Sequence, residues 1–173
     1  MSLPARYDRL AVVLHWLSVL LVALAYLSIE LRGPRGSDSR AFWTNVHLWS
    51  GSLLLALSMP RLLWRWWRGA PPPVPAGPLS DGLRRAVHAA LYGFVLLQPL
   101  LGMLALNLGG RPVVLAGWSF SLAGPMPALG KAFEESHELL GNLFYAVIGV
   151  HAAAALWHHC VRRDGLLSRM SLR

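Results

Sequence analysis

SHELLGNLFYAVIGVHAAAALWHHC, Ser136 to Cys160, holds four histidines in a stretch otherwise apolar enough to lie in a membrane. Ionisable side chains at that depth are costly and mark function by default. Fourteen residues separate His137 from His151 (151 − 137), a rise of roughly 21 Å on a helix. At about 100° per residue the second ring returns to within roughly 40° of the first. The two rings therefore share one helix face at opposite membrane depths.

The rest of the chain supplies matching helices. Its 173 residues are 55% hydrophobic and only 14% charged, a balance that excludes an ordinary soluble domain. Apolar runs predict transmembrane helices at about 10–31, 42–63, 86–108 and 137–160, each near the roughly 20 residues that cross a bilayer. The expected fold is an all-α, integral membrane four-helix bundle forming a single domain over residues 1–173. Five of the 16 basic residues, Arg32, Arg35, Arg40, Arg111 and Lys131, fall in the outer loops and the other eleven in inner segments. This asymmetry places both termini in the cytoplasm. A net charge of +8 then reflects orientation and contact with anionic lipid, not nucleic-acid binding.

The N-terminal apolar run imitates a secretion signal at Ala23–Ala25 but continues past it as a helix carrying His15. Cys160 is the one cysteine, so there is no intrachain disulfide, and no C-x-x-C-H motif attaches a c-type haem. Arg68–Gly82 is rich in proline and glycine and predicts an extended inner linker. The outer segment from Asn107 to about Ser136 is long enough to fold over the end of the bundle.

Depth pairs the histidines. His15 lies about 9 Å past Arg9 and His151 about 9 Å before Trp157; His47 lies roughly 6 Å past Trp43 and His137 roughly 3 Å past Glu135. Two pairs at two levels, each drawn from two helices, suit two non-covalent b-type haems with an imidazole on either side of each iron. The 21 Å offset, again roughly, rules out one shared tetrahedral zinc site. A proton-conducting histidine chain needs polar groups between His137 and His151, where Asn142 and Tyr145 are the main ones. Gly51, Gly141 and Ala155 each follow a histidine by four residues, giving either room for a flat macrocycle or simple helix packing.

RYDRLAVVLHW, VHLWSG followed by RLLWR, WSFSLAGPMP and the long C-terminal motif SHELLGNLFYAVIGVHAAAALWHHCVRRDGLLSRM resemble the bacterial cytochrome b561 family over nearly the whole chain. The resemblance implies a four-helix, inner-membrane cytochrome with two bis-histidine haems, His15 with His151 near the cytoplasm and His47 with His137 near the periplasm. Within the family it is to the four-helix members that oxidise superoxide to O2 on the periplasmic side and reduce ubiquinone near the cytoplasmic side.

Further residues are assigned on that basis. His158, seven residues beyond His151, is the candidate beside the quinone, able to bond a carbonyl and relay a proton; the alternative is an interfacial histidine. His88 has a similar inner depth and is a candidate contact to a propionate or the quinone. Arg9 and Arg61 lie where inner propionates should emerge. Arg35, Arg40 and Lys131 are candidates for attracting anionic superoxide, although Glu30, Asp38, Glu134 and Glu135 nearly cancel the outer positive charge. Two rival readings remain. One is a di-haem subunit carrying electrons between a partner dehydrogenase or hydrogenase and quinone; the other is a haem-free transport or anchoring bundle.

Overall fold

The computed structural model describes residues 6–72, 77–115, 118–121 and 123–172. Of the sequence expectations, the form of the linker at 73–76 and the place of Arg173 lie outside the described residues. Four long helices follow one another: α1 (Arg9–Glu30), α2 (Asp38–Arg68), α3 (Pro78–Leu108) and α4 (Pro127–Trp157). α1 packs along α2, α3 along α4, and α2 against α3. Tyrosines bridge α1 and α4. Tyr26 donates to the Gly141 carbonyl at 2.8 Å, and Tyr145 donates to Glu30 Oε1 at 2.8 Å.

The pattern of burial is inverted relative to a protein dissolved in water. Ser18, Ser28, Ser50 and Ser58 are buried, while Leu20, Leu53, Leu97 and Val150 are exposed in mid-helix. Apolar surface on this scale needs an apolar solvent. The inward serines cost little because each hydroxyl bonds within the protein; Ser18, Ser50 and Ser58 donate to the carbonyl one turn back at 2.7 Å. Ser58 also reaches the Val95 carbonyl at 3.4 Å. Pro99, four residues on in α3, has no N–H for that carbonyl, so α2 supplies the donor that α3 lacks.

α1, α3 and α4 are long and apolar enough to cross a membrane by length and composition. α2, although 31 residues long, does not meet that measure. The expectation of four apolar spans is corrected to this extent: α2 carries His47, three serines and Arg61 toward the middle of the bundle, which lowers its hydropathy without exposing those groups to lipid. The helices also overrun the expected limits. α3 begins at Pro78 instead of 86, α4 at Pro127 instead of 137, and α2 spans 38–68 instead of 42–63. Proline is well suited to the first helical turn. A helix of 31 residues reaches about 46 Å, well beyond a hydrocarbon core of about 30 Å, so the apolar runs mark only the lipid-spanning parts.

The long outer segment is thereby reduced to the residues between Leu108 and Pro127, and it carries an antiparallel hairpin, β1 (Val113–Leu115) with β2 (Trp118–Phe120). Buried Asn107 ties it down, donating to the Phe120 carbonyl at 3.3 Å and accepting from Ala123 N at 3.0 Å. Beneath it α4 meets the end of α3 at Gly130, where an added Cβ would stand 2.6 Å from Gly109 N and 2.8 Å from the Leu108 carbonyl carbon. Both neighbours are backbone and cannot swing aside. Gly130→Ala should cost about 1–3 kcal/mol, read as a lower midpoint of thermal unfolding in detergent; an unchanged midpoint would mean that the two helices are free to separate there.

At the opposite end, residues near the two ends of the described chain meet. Tyr7 N donates to the Arg169 carbonyl at 3.3 Å. Asp8 caps α1 at Ala11 N (3.0 Å) and accepts from the Trp64 indole (2.9 Å). Trp66 and Trp67 are exposed beside Arg68, an aromatic and basic edge of the kind found at membrane interfaces.

Candidate functional site

Histidines gather at two levels, separated by an aromatic and aliphatic core of Leu54, Phe94 and Val95 with Tyr26, Phe144 and Ile148 against it. Phe94 stacks on Phe144 with centroids 4.1 Å apart, and Tyr26 lies 4.3 Å from Tyr145.

Toward the hairpin end, the rings of His47 and His137 stand perpendicular with centroids 5.9 Å apart. Two imidazoles on opposite sides of one iron, at nitrogen distances of about 2 Å, would have centroids about 6 Å apart. Their outer nitrogens are anchored alike. His47 Nδ1 lies 3.0 Å from the Ala25 carbonyl and His137 Nδ1 lies 3.0 Å from the Gln98 carbonyl. A carbonyl can only accept, so both neutral rings carry hydrogen on Nδ1 and keep the Nε2 lone pair free. Ser28 Oγ, 3.3 Å from His47 Nδ1, lies on the same anchor.

Two residues at this level escape a search for histidines. Gln98 returns the contact by donating Nε2 to the His137 carbonyl at 2.6 Å. Gly102 lies under the His137 ring, where a Cβ would come within 3.1 Å of Cε1. A lone glutamine inside the apolar stretch VLLQPLLG was the available signal. Gly141 faces Gln98 Nε2, which its Cβ would meet at 3.1 Å, while a Cβ on Gly51 would meet nothing within 4 Å. Gly141 therefore admits Gln98, whereas Gly51 leaves open space.

Toward the terminal end, His15 and His151 line one cavity of about 340 Å³, walled by Val22, Tyr26, Phe94 and Ile148. Their rings have different immediate neighbours. His151 stands perpendicular to His88 with centroids 5.3 Å apart, and His88 Nδ1 lies 2.7 Å from the Arg84 carbonyl. His15 Nδ1 lies 3.0 Å from the Arg61 guanidinium, which also covers the Tyr92 ring. Arg61 has donors only, so His15 Nδ1 accepts, a tautomer opposite to that of His47, His137 and His88.

The fit to b-type haem rests on these donor sets: a facing, correctly anchored pair at one level, and an apolar cavity bordered by two histidines and an arginine at the other. His47 and His137 would hold one haem. His15 and His151 border the space for a second, with Arg61 available to a propionate carboxylate. Arg9 opens α1 and is exposed, at the terminal end but with no recorded partner among the described residues.

His158 begins a five-residue π-helix, His158–Arg162, directly after α4. Its Nδ1 lies 2.5 Å from Asp164 Oδ2. That hydrogen bond holds the Asp164 carboxyl below the usual carboxylate range.

The three outer cations are not equivalent. Lys131 is engaged with Glu134 at 3.5 Å and Glu135 at 3.8 Å. Arg40 donates to the Gly33 carbonyl at 3.2 Å and so braces the loop before α2. Arg35 is exposed in that loop.

A family model described as prokaryotic cytochrome b561 matches residues 6–171. Among curated proteins, the chain is 35% identical to the probable superoxide oxidase CybB of Yersinia pestis over 174 residues, covering 95% of each chain. It is 31% identical to cytochrome b561 homolog 1 of Escherichia coli (strain K12), covering 97% of this chain and 98% of that one. It is 32% identical to cytochrome b562 of Cereibacter sphaeroides, covering 95% and 94%.

Proposed function

The chain belongs to the prokaryotic cytochrome b561 family, a membrane, haem-binding electron-transport oxidoreductase, and on that premise we propose that it is a superoxide:ubiquinone oxidoreductase with two haems. The observation that carries the haem reading is the His47–His137 pair, 5.9 Å apart with both Nδ1 atoms on carbonyls. In this reading the protein lies in the bacterial inner membrane with both termini in the cytoplasm, so the hairpin end faces the periplasm. The similarity to the Yersinia protein, named a probable superoxide oxidase, supports the substrate.

Bound haems supply one-electron exchange at two depths. The chain's own groups do the rest. His47, His137, His15 and His151 would hold the two haems inside the bundle. Arg61 offsets propionate charge. Arg35 and Arg40 favour approach of an anion at the outer end. His158 offers a proton to a quinone carbonyl at the inner end. The balance is two superoxide ions giving two O2 and two electrons, which with two protons convert one ubiquinone to ubiquinol.

One observation favours a second reading, a cytochrome subunit fed by a partner dehydrogenase or hydrogenase: Lys131 is already paired with two carboxylates, which weakens anion attraction. Stable co-purification of a soluble redox subunit would support it.

A rapid-mixing experiment tests the proposal. A superoxide pulse should reduce the oxidised, haem-loaded protein, and ubiquinone should drain the electrons again, both seen in the Soret band. Haems that stay oxidised after the pulse would reject superoxide as donor.

A further inference from the structure

We propose that Asp164 is a positioning residue for quinone reduction: its carboxylate holds His158 with Nδ1 protonated, so that Nε2 is the atom presented to a quinone carbonyl. This deepens the reading of His158 given above and rests on it.

The chain is bent to bring these two groups together. α4 ends at Trp157, and the next five residues widen into a π-helix. Such turns are rare and recur at functional sites. Arg163 then takes a left-handed conformation, φ 50° and ψ 36°, the one non-glycine residue with positive φ among those described. A side chain there is strained, and the reversal sends Asp164 back over the turn. Its N–H reaches the His158 carbonyl at 3.4 Å. Its two carboxylate oxygens are divided, Oδ2 to His158 Nδ1 and Oδ1 to Leu166 N at 3.1 Å. Arg162 Nε, 3.9 Å from the same Oδ2, is the other charged group at the pair.

The turn is also tied to the inner histidine level. Beyond it, Leu167–Met170 forms a short 3-10 helix, and the Met170 carbonyl accepts from the Trp16 indole at 2.9 Å. Trp16 stands edge-on to His15, centroids 5.4 Å apart. The segment that follows the His158–Asp164 pair is therefore tied to α1 one residue from His15, and each side chain of the pair is about one-fifth exposed (21% and 20%). The pair is thus largely packed and partly open to water.

Reduction of a quinone to its quinol consumes two electrons and two protons. The electrons arrive singly through the chain's electron-transfer function. His158, doubly protonated, gives the Nε2 proton to a carbonyl oxygen as the O–H bond forms and the N–H bond breaks. The ring is left neutral with its remaining hydrogen on Nδ1, facing Asp164, and water returns a proton to Nε2. The second proton comes from water by the same route. Asp164→Asn would put an amide N–H where Oδ2 now accepts, forcing the opposite neutral tautomer. The triad aspartate of serine proteases orients its histidine by the same logic.

Haem-loaded protein, reduced chemically so that the physiological donor is irrelevant, is mixed with a short-chain ubiquinone and haem oxidation is timed. Asp164→Asn and His158→Ala should each slow it at least about 10-fold with haem content and Soret spectrum unchanged. The double variant should be no slower than His158→Ala, because the two act as one unit. A normal rate in Asp164→Asn beside a slow His158→Ala, or additive losses, overturns the positioning role. A normal rate in His158→Ala overturns instead the acceptor-side reading beneath it. Should Asp164→Asn lose haem, ring ¹⁵N shifts of His158 in the native chain decide: hydrogen on Nδ1 supports the proposal, and hydrogen on Nε2 overturns it.

Discussion

His47→Ala or His137→Ala should release one of the two proposed haems and leave the other in place, halving the haem bound per chain. The effect is close to complete because nothing covalent holds the group; the chain's lone cysteine, Cys160, is exposed beyond the end of α4. Each ring is also pre-set. His47 is fixed between Ala25 O and Ser28 Oγ on α1, and His137 by the Gln98 carbonyl on α3. Anchors of this kind alone are commonly worth about 10- to 100-fold in metal affinity, so loss of the ring itself costs more. The second level should survive because Leu54, Phe94 and Val95 separate the two and are untouched. Haemochrome assay against chain concentration reads the ratio. Both haems retained would remove these histidines from the ligand set.

The second large effect separates His15 from His88. His15→Ala should release the inner haem, and His88→Ala should retain it with at most a small spectral shift. The geometry makes the comparison sharp, since the ring beside His151 is His88 at 5.3 Å, while His15 faces Arg61. The case for His15 is that it and His151 border the same apolar cavity from opposite helices, α1 and α4. His88, ten residues into α3, is exposed. Metal binding at His15 Nε2 places the ring hydrogen on Nδ1, where Arg61, having only donors, cannot stay. The guanidinium is then free for a propionate carboxylate. The opposite outcome, haem lost in His88→Ala and kept in His15→Ala, would transfer the inner ligand to α3.

Periodicity and apolar length made four helices legible, because lipid imposes both on any spanning segment. Those same signals were silent beyond the hydrocarbon boundary. Pro78 and Pro127 start helices in water-facing segments whose prolines and glycines had suggested linker or loop, and the hairpin at Val113–Phe120 depends on Asn107, one residue among many in an irregular stretch. α2 read as an ordinary span, although its inward serines and His47 make it the most polar part of the bundle's interior.

At the site, helix rise was enough to bring His47 level with His137. Depth alone could not separate His15 from His88, which occupy the same level on different helices. Nor could it reveal Gly102 and Gln98, whose contribution is to a ring on α4. Asp164 was invisible for a different reason. Its approach to His158 requires the π-helix and the left-handed Arg163, and neither leaves a periodic trace in the sequence.

The most direct test of the two-level account is a count of haem per chain in native protein, joined to low-temperature electron paramagnetic resonance of the oxidised form. Two haems per chain, both low-spin with two imidazole ligands, are expected. One haem, or a high-spin iron with an open axial position, would contradict it.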